Sequence, residues 1–152
     1  MLNAKYEVVR KKYKLPNFEL LDADFHIRGV EPEADILVEL RIKAEEKIDY
    51  FLHLLNTVLQ PDPNTLADMY EYAALNQDQR AHALVLFKQL MVVKRVLSEA
   101  EVIGNEKITA SAIVLSHKTV SQTKQQVLTI LQLFKRCWQV PAEKQELDRY
   151  FG

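Results

Sequence analysis

From Leu37 to Val58 apolar side chains return every three or four residues, at Leu37, Leu40, Ala44, Ile48, Phe51, Leu55 and Val58. An α-helix advances about 100° per residue, so this spacing draws one apolar stripe along one side. Glu39, Glu46 and Asp49 fall on the other side, and the segment reads as an amphipathic helix whose stripe other helices must cover. Ile36 to Ile42 alone also suits a buried strand, but it runs unbroken into the strongly helical Lys43-Ala44-Glu45-Glu46-Lys47. Three glycines and five prolines in 152 residues leave little material for tight turns, which disfavours sandwiches and barrels. With 48% apolar and 27% charged residues, a chain of this length can bury a core as one domain. The expectation is a single all-α domain over residues 1–152, a bundle of five to seven helices.

The boundaries follow from caps and breakers. Leu2, Tyr6, Val9 and Tyr13 line one side of a short basic helix at 1–14, stopped by Pro16. Asn17 can cap a brief helix through Phe18, Leu21 and Phe25, and Gly29 marks a turn. Pro32 suits the first turn of the long helix, with Glu31, Glu33 and Asp35 at its positive end, so that helix is expected at 32–60. Pro61-Asp62-Pro63-Asn64 is the clearest break, and Asn64 or Thr65 caps a helix through Leu66, Met69, Tyr70 and Ala73 to about Asn76.

Asn76 or Asp78 starts the next helix, expected over 77–101. Nine of the eleven residues from Ala83 to Val93 are apolar, and a helix apolar nearly all round must be covered nearly all round. This places Leu84, Phe87, Leu90 and Met91 in a central buried helix or in an interface between copies. Gly104-Asn105 then turns the chain, and Ile108, Ala112 and Leu115 begin a further helix. The hydroxyl-rich stretch Ser116 to Ser121 can continue, kink or restart it, with Thr119 or Ser121 as a cap. Val127, Leu128, Leu131, Phe134 and Trp138 carry it to Pro141, leaving a polar tail at 142–152 with Leu147, Tyr150 and Phe151 available to dock.

Cys137 is the only cysteine, which excludes an internal disulfide and any multi-cysteine metal site. No apolar run is long enough to span a bilayer and no secretory leader is evident, so the expected location is cytoplasmic and no membrane partner is expected. The net charge of −1 conceals an uneven distribution. Residues 15–60 carry four basic and ten acidic residues, whereas 102–138 carry five basic residues and Glu106 alone among acids.

Chemical motifs are sparse. Asp49 with His53 and Asp78 with His82 stand four residues apart, one helical turn, but a bundle metal site needs convergent ligands from facing helices. The expectation is surface Asp–His pairs and no metal. Arg80-Ala81-His82-Ala83-Leu84 resembles the histidine segment of phosphotransfer bundles over a few residues, which would imply a phosphate-relaying histidine; the Lys-Gly of that pattern is replaced by Val85-Leu86. Ser116 and His117 are adjacent and would splay apart on a helix, so they do not form a nucleophile–base pair. Gly29, Gly104 and Gly152 are isolated, which excludes a glycine-rich phosphate loop. Arg136 beside Cys137 would lower the thiol pKa, although a lone cysteine next to Trp138 reads as packing. No catalytic residue and no cofactor are expected.

The most informative surface is in the last long helix. Lys118, Gln122, Gln125, Thr129, Gln132 and Arg136 follow steps of four, three, four, three and four residues and so share a face without an acid, and Lys124 of the same helix is grouped with them in the candidate interaction face. Amides and hydroxyls flanked by cations can bind a protein partner or phosphates. The leading expectation is a non-enzymatic protein-interaction or assembly module whose partner is another protein or a second copy of itself. Association with nucleic acid or a ribonucleoprotein comes second, and a helical-bundle enzyme or phosphotransfer protein third.

Overall fold

Capping chemistry sets where the helices begin. Asn17 accepts a hydrogen bond from the Leu20 amide and starts α2 (Phe18–Phe25), which follows α1 (Leu2–Tyr13). Asp35 accepts from Val38 and starts α3 (Ile36–Leu59). After α4 (Leu66–Ala74), Asn76 and Gln79 form a reciprocal capping box that starts α5 (Gln77–Ile103), and Asn105 accepts from Ile108 at the head of α6 (Glu106–Gln139). These assignments come from a computed structural model describing residues 1–140, which hold six α-helices, one 3₁₀ turn at Ile27–Gly29 and no strand. The expected tail at 142–152 lies outside the described residues.

One expected boundary needs correction. The long helix starts at Ile36 and not at Pro32: the Ala34 amide bonds to the Glu31 carbonyl in a turn, the Lys5 ammonium takes the Pro32 carbonyl, and Asp35 is the residue that caps. A side-chain acceptor on free amides prevails here over a favoured proline position. Of the three alternatives for Ser116 to Ser121, α6 takes the first and passes through without a break. Ser116 and Thr123 donate to the carbonyls four residues earlier, Ala112 and Thr119, so their hydroxyls are satisfied without competing for the helix amides.

The centre of the bundle is α3, which packs against α2, α4, α5 and α6 and buries Leu37, Leu40, Ala44, Ile48, Phe51, Leu52, Leu55 and Val58. The sequence pattern had assigned that place to residues 77–101. In the structure α5 buries Ala83, Leu86, Leu90, Val93, Leu97 and Ala100 against α3 and α6, while Leu84, Val85 and Val92 stay exposed. An apolar helix with neighbours on only two sides keeps an apolar strip in water, and no described residue covers it.

Gly104 makes the geometry of α5 and α6 possible. It ends α5 with φ at +69°, the left-handed region that costs other residues a Cβ clash, and its amide bonds to the Ala100 carbonyl. Only Gly104 and Asn105 separate the two helices, so α5 and α6 form an antiparallel hairpin whose inner edge rests on α3. α1 closes the far side: Tyr6 is fully buried and donates to the Pro16 carbonyl, and Tyr13 donates to Glu106 at the head of α6. No described helix is long and apolar enough to cross a membrane.

Candidate functional site

On the outer side of the hairpin, α5 and α6 leave an open groove. Val85, Gln89 and Val92 form one wall, and Leu115, Thr119, Gln122 and Gln126 the other, around a hollow of about 470 Å³ with Leu86, Val93 and Thr123 in its floor. A second hollow of about 340 Å³ continues it toward the head of α5, between Asn76, Asp78 and Gln79 on one side and Thr129, Ile130 and Leu133 on the other. His82 and Gln126 line both. From Asn76 to Val93 the groove runs on the order of 25 Å at 1.5 Å per helical residue.

The chemistry of the walls is apolar and amide. Val85 is 53%, Val92 63% and Leu115 37% exposed. Gln89, Gln122 and Gln126 are also exposed, and each amide can both donate and accept. The middle section contains no charged group, and His82 and Asp78 enter only toward the α5 head. Four exposed cations flank this section or prolong its rim, Lys88 and Arg95 on α5 and Lys118 and Arg136 on α6, and none enters an ion pair among the described residues.

The opposite flank of α6 is closed. Asp24 of α2 is 4% exposed and lies among three α6 side chains: Lys124 Nζ at 2.8 Å from Oδ1, Ser121 Oγ donating to Oδ2 at 3.2 Å and His117 Nε2 at 3.3 Å from Oδ2. His117 also meets the Phe25 ring edge-on. Positions 117, 121 and 124 lie one turn apart in succession, which is why three unlike groups converge on one carboxylate. Ser121 and His117 both address Asp24 and not each other, so the cluster is a polar clasp between helices and not a nucleophile–base pair.

Against this geometry the residues picked out from sequence separate clearly. Lys118, Gln122, Gln125, Thr129, Gln132 and Arg136 are all exposed along α6. Gln122 and Thr129 line the groove and the rest form its outer rim or the ridge beyond. Lys124 stands about 120° round from this ridge and is committed to Asp24. Asp49 pairs with Lys94 and not with His53, and Asp78 and His82 make no hydrogen bond or ion pair with each other. Among the described residues no group of three or more His, Cys, Asp or Glu side chains could hold a metal ion. Ser116 is buried and bonded back to Ala112, while His117 turns toward α2. Burial pushes the Cys137 thiol pKa up, and the nearby Glu71 charge adds to it, the reverse of what Arg136 alone would do.

No family model, curated protein or solved structure matches this chain. Its function therefore rests on its own residues. Sequence reasoning missed the α5 wall and the α6 residues Thr119 and Gln126. The available signal was the run from Ala83 to Val93, read as core because nothing in a linear pattern says that one side of an apolar helix lacks a neighbour.

Proposed function

We propose that this protein is a non-enzymatic helical interaction module that receives a partner helix in the groove between α5 and α6. The observation that carries this reading is the exposure of Val85, Val92 and Leu115 along the walls of one continuous groove between two long helices. Apolar surface left in water along two adjacent helices is the form of site that takes the apolar face of a third helix, with amides fixing its register. The walls belong to two long helices braced on α3, so the site is held open in advance and binding orders little of the receiving side.

A nucleic-acid reading draws support from the exposed Lys118–Arg136 ridge, but it loses Lys124, and valine and leucine walls offer nothing to phosphates. A photo-crosslinking amino acid at Val92, with a control at exposed His53 of α3, separates the readings. Docking predicts a discrete protein adduct at 92 that is absent at 53, survives nuclease and disappears when Val85 and Leu115 are changed to Asp. Adducts of equal yield at both positions, or adducts lost on nuclease treatment, would refute docking.

A further inference from the structure

The groove and its rim have opposite chemistry. In the middle section the walls are uncharged, whereas the outward edges carry Lys88 and Arg95 on α5 and Lys118 on α6. Because the hairpin is antiparallel, Lys88 and Arg95 stand on one bank and Lys118 on the other, with the valines and amides between them. The flanks of the same two helices that face away from the groove hold cations in ion pairs, Lys94 with Asp49 on α5 and Lys124 with Asp24 on α6. The two acids nearest this section stand toward its ends, Asp78 near the α5 head and Glu99 one turn beyond Arg95. The middle of the groove is thus an apolar, amide-lined trough between positive banks.

Resting on the docking role proposed above, we infer that the occupant is an amphipathic helix of another protein whose apolar stripe is bordered on both sides by glutamate or aspartate. The stripe would seat on Val85, Val92 and Leu115, and the bordering carboxylates would meet Lys88, Arg95 and Lys118. Complementary rim charges steer the encounter and select the partner more than they add to the final affinity. The same charges argue against a second copy of this chain. A two-fold interface through this groove would bring Lys88, Arg95 and Lys118 of one molecule against the same cations of the other, and like charges held together oppose association.

Three stapled helical peptides of about 18 residues, a length matched to the groove, test this by fluorescence anisotropy against the full chain. The first has leucine at i, i+3, i+4 and i+7 with glutamate on both borders; the second replaces glutamate by lysine; the third keeps glutamate and replaces leucine by serine. The expected result is that the first binds about tenfold more tightly than the second at low salt, that the gap narrows as salt screens the rim, and that the third does not bind. In the double variant Lys88→Glu, Lys118→Glu, both at exposed positions and with the fold checked by circular dichroism, the preference between the first two peptides should reverse. Equal binding of the first two peptides overturns the acidic-partner inference and leaves the docking role standing. Failure of both leucine peptides overturns both, and equal binding of the first and third shows that charge alone is read and overturns the groove. An RNA duplex that displaces the first peptide at physiological salt overturns the helix as occupant in favour of nucleic acid.

Discussion

The two flanks of α6 carry polar side chains to opposite ends. Toward α2, His117, Ser121 and Lys124 are consumed by one carboxylate, and the flank is shut. Toward α5, Leu115, Thr119, Gln122 and Gln126 border an open groove, and their polar groups are left to water. Sequence spacing treats the two sets alike, since both recur at helical intervals and both mix hydroxyls, amides or cations with apolar neighbours. What separates them is whether another element of the same chain supplies the complement. Buried polar groups left without partners are costly, so the shut flank had to be completed internally, while the open one bears no such penalty.

The comparison can be broken at several points. The largest effect belongs to the layer beneath the groove. Leu90 of α5 is fully buried, so Leu90→Ala should lower the unfolding free energy by about 2–5 kcal/mol in urea titration. A loss near zero would mean that α5 does not set its buried side into the core. Next comes the clasp, where Asp24→Ala removes the acceptor shared by three side chains. Hydrogen bonds to charged groups are worth about 1.5–3 kcal/mol, and the larger figure is discounted here because Lys124 is half exposed and can rehydrate, so a loss of about 2 kcal/mol is expected. Combining Asp24→Ala with Lys124→Ala should cost less than the sum of the single changes, which a double-mutant cycle measures.

Tyr6 gives a smaller effect with a distinct pH signature. Its hydroxyl donates to the Pro16 carbonyl, and burial pushes its pKa from the ordinary 10.0 up to about 12. The folded state therefore resists losing this proton more than the unfolded chain does, so the contribution is complete below pH 10 and disappears as the pH rises toward 12. Tyr6→Phe should cost about 1 kcal/mol at neutral pH and should remove part of the alkaline fall in stability. Parallel curves for the two proteins between pH 9 and 12 would contradict the burial of that phenol. The smallest effect lies on the open flank: Val92→Ser and Gln122→Ala should each leave stability within about 0.5 kcal/mol while weakening peptide binding. A large stability loss at either position would show that the groove is occupied by the chain itself.

Much of the architecture was legible because period and caps agree. The stripe from Leu37 to Val58, the caps at Asn17 and Asn76, and the turn at Gly104-Asn105 each have a local physical cause that a linear reading captures, whereas the cap made by Asn105 was read only as part of that turn. The start of α3 was displaced because Pro32 and Asp35 are both good initiators, and their ranking depends on the turn made by Glu31 to Ala34. The site was half legible. The face from Lys118 to Arg136 marks the outer side of α6, but the groove needs α5 beside it, and Val85 and Val92 look like core until the third dimension shows water next to them. Asp24 was not singled out at all, since nothing near it in sequence names partners about a hundred positions away.

That separation gives the clasp a place in time as well as in space. The groove walls are joined by two residues and meet at little loop-closure cost, whereas joining Asp24 to Ser121 and Lys124 closes loops of 97 and 100 residues. On a ribosome, α2 leaves the exit tunnel long before α6 has been made, so Asp24 waits as a solvated carboxylate until residues 117 to 124 emerge. α2 is then anchored by an element made about a hundred residues later, and a nascent chain halted before residue 117 would hold α2 without its polar tether.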